Sequence, residues 1–292
     1  MRLLIFGGAG MLGHKLVQTL GTDFEVFSTV RGEFSRYQRL GIFDRKRTFE
    51  KVGAEDEELI KKIVHQVKPD VLINGIGVIK QLPTSGDVIQ TLRINSIFPH
   101  QLAKMAGDAG IRLITISTDC VFSGDKGNYS EGDFSDARDL YGKSKNLGEV
   151  QEGNCLTLRT SIIGRELFTG HSLVEWFLSN RGGRVRGFSG AIYSGFPTVE
   201  FGRILADLIL RHPEIKGLYH LSSDPIDKFE LLKLLNQYYR AGIEIEEYPD
   251  FKVDRSLNSE KFRQRTGFRP KSWDQMIRQM AEDETPYDLW KK

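Results

Sequence analysis

Short apolar runs alternate with amphipathic stretches through the first half of the chain. Residues 3–6 (LLIF) form an unbroken apolar run, the length and composition of a strand buried on both faces. The run enters GGAGMLG, a tight-turn composition at 7–13, after which residues 14–20 recur with helical spacing. Residues 24–29 predict a second strand, followed by a charged, poorly patterned stretch to about residue 54. Residues 56–67 read as a helix, and Pro69 leads into the strand VLIN at 71–74. Residues 91–109 predict a helix that Pro99 should kink or break, because proline lacks the N–H its i−4 carbonyl needs. IRLITIST (111–118) is the next strand, DLYGKSKNLGEV (139–150) a polar helix, and residues 155–161 another strand. Strands interleaved with helices predict an α/β fold, with a parallel sheet covered on both faces.

The second half is less regular. Helical segments are expected near 172–179, over 199–210 and over 228–239, with a strand at 217–223. The simplest organisation is discontinuous. Residues 1–160 plus 191–224 form the large α/β domain, and 161–190 plus 225–292 a smaller lobe. No internal repeat or low-complexity segment interrupts this pattern.

Composition narrows the function classes. The 292 residues are 39% hydrophobic and 27% charged, as expected of a soluble globular protein, and no run is long enough to span a bilayer. MRLLIFGGAG lacks the length and small-residue cleavage pattern of a secretory signal and reads better as a strand entering a turn. A net charge of +2, from 41 basic and 39 acidic side chains, gives no general case for nucleic acid. The two cysteines, Cys120 and Cys155, show neither metal-ligand spacing nor a disulfide framework, so no metal is expected and the cytoplasm is the default location.

Gly7, Gly10 and Gly13 form GxxGxxG directly after the first strand. Without Cβ atoms the backbone turns tightly and approaches a pyrophosphate, and the following helix points its amides at the anion. The candidate phosphate-facing residues are Gly7, Gly10, Met11, Leu12 and Gly13; a purely structural turn is the alternative. No Gly-Lys-Ser/Thr ending follows, so this is not a Walker loop. At the end of the second strand a carboxylate would bind the adenosine ribose of NAD, whereas arginine pairs with the extra phosphate of NADP. FSTVRG places Arg31 there with no acid before Glu33, which favours NADP(H) while leaving NAD(H) open. Arg31 reads equally well as an ordinary surface side chain.

Thr118 closes its strand, where open parallel sheets bind ligands, and Tyr141 follows 23 residues later with Lys145 one helical turn beyond. A tyrosine pKa of about 10 is unsuited to proton exchange near neutrality, but an adjacent ammonium favours the phenolate. With a nicotinamide supplying hydride, Thr118 orienting a carbonyl and Tyr141 giving a proton, a ketone would become an alcohol. Taken singly, Thr118 is a strand-end hydroxyl and Tyr141 a half-buried aromatic; the combination with the glycine turn points to chemistry.

GGAGMLG, VLINGIG, STDCVFSG and YGKSKNLGE together resemble the extended short-chain dehydrogenase/reductase family. The chain is most similar to its dTDP-4-dehydrorhamnose reductase branch and related nucleotide-sugar 4-keto reductases. RSLNSEKFRQRTGFRPKSW extends the likeness nearly to the end. The resemblance implies a Rossmann-type doubly wound parallel sheet with a smaller, discontinuous C-terminal substrate-binding lobe. It implies Thr118, Tyr141 and Lys145 as catalytic residues, with Tyr141 and Lys145 also at the nicotinamide ribose. Asn74 and Gly75 would lie over the cofactor, and Asn95 would support the lysine. A nucleotide sugar is the implied substrate, its product feeding surface polysaccharide or lipopolysaccharide assembly. No nucleic acid or membrane partner is implied, and a homodimer is left open.

Two departures bear on specificity. Asn74-Gly75-Ile76-Gly77 replaces the family's Asn-Ala-Ala or Asn-Ala-Gly, and Cys120 stands where the rhamnose branch commonly has tyrosine. Cys120, with no activating base in sequence, reads as pocket wall or core; Asp119 and Phe122 are pocket residues by resemblance only. Arginine matches phosphate and aromatic rings cover bases or sugars, so Trp176, Arg186 and Arg255 are the candidate substrate contacts. The leading expectation is NADPH-dependent reduction of a 4-keto-6-deoxyhexose linked to dTDP, or of an N-acetyl sugar linked to UDP. A nucleotide-sugar epimerase with retained NAD, and a non-catalytic NADP-binding scaffold, are the alternatives.

Overall fold

The computed structural model describes residues 1–80 and 86–290. Along the chain, β1 (Arg2–Phe6), α1 (Met11–Leu20), β2 (Glu25–Thr29), α2 (Ser35–Gln38), β3 (Thr48–Phe49), α3 (Glu57–Val67) and β4 (Val71–Asn74) come first. Then follow α4 (Val88–Leu92), a π-helical segment (Arg93–Ile97), α5 (Phe98–Ala109), β5 (Arg112–Thr118), α6 (Leu140–Leu147) and β6 (Cys155–Thr160). The second half holds β7 (Ile162–Ile163), α7 (Leu173–Ser179), β8 (Arg184–Phe188), β9 (Ala191–Tyr193), β10 (Phe196–Pro197), α8 (Thr198–Arg211) and β11 (Gly217–His220). β12 (Ile226–Asp227), α9 (Lys228–Tyr239), β13 (Glu244–Tyr248), β14 (Val253–Asp254), α10 (Glu260–Thr266), α11 (Trp273–Ala281) and α12 (Tyr287–Trp290) complete it. No helix among the described residues is long and apolar enough to cross a membrane.

Seven strands form the main sheet in the order β11-β6-β5-β4-β1-β2-β3. β1 pairs in parallel with β2 and β4, β2 with β3, and β4 with β5. The doubly wound Rossmann-type sheet expected from the motifs is therefore present, and its order reverses between β1 and β4, where such sheets bind dinucleotides. Smaller sheets (β12-β9-β14, β13-β8 and β10-β7) lie in the second half.

The chain divides into two compact units. One comprises Met1–Ser117, Arg138–Leu158 and Gly202–Leu218; the other comprises Thr118–Ala137, Arg159–Phe201 and the chain from Tyr219 onward. In the first unit Leu4, Phe6, Ile60, Ile63, Leu72, Phe98, Leu102 and Leu113 belong to one buried apolar cluster. The near-continuous apolar character of β1 and β4 follows from burial on both faces. In the second unit Arg165 is a buried tie: its Nε donates to Glu175 at 2.8 Å, its Nη2 to Asp288, and its guanidinium lies over the Tyr239 and Tyr287 rings.

Of the kink or break expected at Pro99, the helix shows an irregularity and not an end. Helical structure continues from Val88 to Ala109, with the extra residue of the π segment taken up just before the proline, where the Phe98 N–H reaches the Arg93 carbonyl. Pro99 has no N–H to give the Asn95 carbonyl. Gly148 packs against that carbonyl instead, so closely that a Cβ there would stand 1.9 Å from the oxygen.

Candidate active site

In the first unit the glycine turn is fixed by backbone crowding. Gly7 has φ +84°, a conformation that glycine adopts without strain. Its carbonyl accepts from Gly10 N at 3.0 Å, and a Cβ on Gly13 would lie only 2.0 Å from the same oxygen. Gly10 caps α1 without a side-chain bond, and no acidic residue occupies the first turn, where Met11, Leu12 and Gly13 present backbone amides. Gly75 approaches the same turn: its N–H donates to Phe6 O at 3.1 Å, and a Gly7 Cβ would meet Gly75 O at 3.2 Å. Asn74, at the end of β4, accepts from Ile76 N at 3.2 Å, while its buried Nδ2 has no partner among the described residues. A glycine cradle, open helix amides and an orphaned amide donor fit a dinucleotide. Arg31, two residues past β2, is exposed and its guanidinium pairs with nothing among the described residues.

The same unit holds the tyrosine–lysine helix. Asp139 caps α6, accepting from Gly142 N at 2.8 Å. Tyr141 is half-buried. Lys145 is buried and donates from Nζ to the Ile116 carbonyl at 2.7 Å. Burial pushes its ammonium down to about 8, against a smaller opposing pull from Glu149. Among the described residues no direct hydrogen bond joins Asn95 to the Lys145 side chain. Its Oδ1 accepts from Val78 N at 2.8 Å, and its Nδ2 donates to Val78 O at 3.0 Å and Ser144 Oγ at 3.1 Å. Ser144 Oγ in turn donates to Tyr141 O at 2.9 Å, so Asn95 fixes the helix turn that carries both residues.

Sequence reasoning missed Lys80. Its Nζ is 2.6 Å from Asp139 and 5.6 Å from the centre of the Tyr141 ring. The signal was present, since Lys80 is the one basic residue between Lys68 and Arg93, but only the fold brings it to the α6 cap.

The second unit begins with Thr118, the last residue of β5. Its Oγ1 accepts from Cys120 N at 3.1 Å and lies 3.1 Å from Asp119 Oδ1. Asp119 is buried, and that burial raises its carboxyl above the usual range despite bonds from Thr118 and the nearby Arg255 charge. Cys120 is partly exposed. Phe122 is fully buried, stacked on Tyr129 with centroids 4.1 Å apart and with Arg159 over its ring, so its side chain is core. Arg255 donates from Nε to Phe122 O at 2.9 Å and from Nη2 to Ser123 O at 3.0 Å. Trp176 is 40% exposed on α7, and Arg186 is exposed on β8 with its guanidinium over Tyr248.

The family model described as RmlD substrate binding domain matches residues 1–285. A dTDP-4-dehydrorhamnose reductase of Aggregatibacter actinomycetemcomitans is 25% identical, covering 95% of this chain and 97% of its own. Methionine adenosyltransferase 2 subunit beta of Rattus norvegicus is 27% identical over 79% of this chain and 70% of its own. The crystal structure of dTDP-4-dehydrorhamnose reductase from Bacillus anthracis in complex with NADP superposes with a TM-score of 0.78, at 19% identity over 97% of this chain and 99% of that one.

Proposed function

The chain belongs to the RmlD substrate-binding-domain family, and from that premise we propose that it reduces the 4-keto group of a nucleotide-linked 4-keto-6-deoxyhexose with NADPH. The observation that carries this reading is Lys145, buried one helical turn from Tyr141 in a unit that also holds the glycine cradle. NADPH, when bound, supplies the hydride that C4 receives. Tyr141 gives its phenolic proton to the oxygen that becomes the alcohol, so one hydride and one proton convert C=O to CH–OH. With its ammonium near 8, Lys145 is mostly charged at pH 7, and its charge favours the phenolate left behind. The Thr118 hydroxyl orients the keto oxygen. Gly7, Gly10 and Gly13 admit the pyrophosphate, and Arg31 meets the additional phosphate that distinguishes NADP from NAD.

For the nucleotide sugar, Trp176 offers a flat exposed face and Arg186 an exposed guanidinium, while Nη1 of Arg255 has no hydrogen-bond partner among the described residues. Cys120, partly exposed beside Thr118, lines the sugar end. The substrate is dTDP-4-dehydrorhamnose or a UDP-linked N-acetyl 4-keto-6-deoxy sugar. The test is a panel of dTDP- and UDP-4-keto-6-deoxy sugars with NADPH or NADH, followed by identification of the C4 product. Oxidation of NADPH with at least one member is expected, and none with any member would overturn the reading. A second reading is a cofactor-binding subunit without turnover of its own; the likeness to a protein named as one subunit of a larger enzyme, methionine adenosyltransferase 2, keeps it in view. It predicts NADP binding with no oxidation across the same panel.

A further inference from the structure

Lys145 shares α6 with Tyr141, and a second lysine reaches the same residue from another element of the first unit. Lys80, in the loop after β4, places its Nζ 5.6 Å from the centre of the Tyr141 ring. One carboxylate holds it there. Asp139 Oδ1 caps α6 by accepting from Gly142 N at 2.8 Å, while Oδ2 takes the Lys80 ammonium at 2.6 Å. The residue that starts the helix therefore brings a negative charge two positions from the phenol. That charge opposes a phenolate, and the Lys80 ammonium answers it. A phenolate also spreads its charge into the ring, so a cation near the ring is held more strongly once the proton has gone.

We propose that Lys80 is a positioning residue for the proton transfer: pinned by Asp139 beside the Tyr141 ring, it cancels the charge of the helix cap and joins Lys145 in favouring the phenolate. The role rests on the reading of Tyr141 as the proton donor. The ion pair is not what starts α6, since the cap uses only Oδ1 of Asp139. The remaining charged groups of α6 and of the segments packed on it are Arg93, Arg138, Lys143 and Glu149. The first three are exposed, and Glu149 accepts from Ser117 Oγ at 2.7 Å. The Lys80 and Asp139 side chains are 36% and 48% exposed, so solvent keeps the effect at the low end for a neighbouring charge. Salt should weaken it further.

Two measurements test this. With ζ-carbon-labelled tyrosine, an NMR titration of the full chain follows the Tyr141 phenol, assigned as the resonance that Tyr141→Phe removes. Lys80→Met should raise its midpoint by about one pH unit, the low end of what one adjacent charge exerts. Lys80→Arg keeps the charge and should leave the midpoint close to wild type. Adding Asp139→Asn to Lys80→Met should bring the midpoint back towards wild type, because asparagine still caps the helix while the opposing charge is gone. An unmoved midpoint in Lys80→Met, or a double variant no nearer wild type than the single one, overturns the proposal. This titration needs no substrate, so its failure is separate from failure of the reductase reading. With any keto sugar that is reduced, the phenol is the donor, so turnover falls as pH rises through its titration. In Lys80→Met that fall should move to higher pH by about the same unit. A lowered kcat with the fall unmoved would make Lys80 a purely structural residue and overturn the proposal.

Discussion

Lys145→Met separates what the buried lysine does for chemistry from what it costs the fold. The ammonium falls from 10.5 to about 8 because burial strips its water. At about 1.4 kcal/mol per pH unit, keeping it charged at pH 7 costs the folded state about 3 kcal/mol relative to an unshifted lysine. Between pH 8 and 10.5 the unfolded chain holds a proton that the folded chain has released, so this group's contribution to stability rises with pH over that window. Methionine removes the penalty but also the hydrogen bond to Ile116 O, worth about 1 kcal/mol. The variant should therefore be about 2 kcal/mol more stable than wild type at pH 7 and about 1 kcal/mol less stable near pH 10.5, while its turnover collapses. Thermal midpoints at both pH values check this, with a gain of several degrees at pH 7, since about 1 kcal/mol moves a domain of this size by about 2–4 °C. A midpoint difference that is the same at both pH values would refute the desolvated ammonium as the source of the shift.

Tyr141→Phe should bind NADPH as wild type does and lose most turnover, because only the phenolic oxygen is removed; near-normal turnover would refute its role as proton donor. Gly13→Ala forces a Cβ to 2.0 Å from Gly7 O. The turn must open, at more than the usual overpacking cost of about 1–3 kcal/mol, and calorimetry should show NADPH affinity lost together with a lowered melting temperature. Arg31→Ala should weaken NADPH far more than NADH, and equal losses would remove Arg31 from cofactor selection.

The large sheet was legible because its strands leave little choice. The apolar run of β1 and VLIN of β4 are too short and too uniformly apolar for amphipathic helices, and Gly7 and Gly75 end the two strands where their backbones approach. β3 was not legible. It is two residues long, within a charged stretch, and joins the sheet only because β2 presents a free edge to it. β8 and β13 escaped for a related reason. RVRGF and EIEEY carry charges rather than a continuous apolar signal, and their parallel pairing sets Arg184 2.8 Å from Glu244, a contact between residues sixty apart.

Within the candidate site, the residues readable from the sequence are those whose placement depends on spacing along one element. Tyr141 and Lys145 share a helix, and the turn glycines share a loop. What the sequence hid is carried by tertiary contact. Proline at 99 announces a kinked or broken helix, and its missing N–H is absorbed by a π turn and by Gly148, the residue that caps α6. That arrangement places Asn95 where it grips Val78 and Ser144. Those bonds tie α6 at Ser144 to the chain at Val78 through one side chain. On that account Gly148→Ala, which meets the Asn95 carbonyl rather than any reacting group, should disturb Tyr141 and Lys145 together. A variant with intact NADPH affinity, a lowered kcat and a weakened Asn95–Ser144 contact would mark Gly148 as part of the same support.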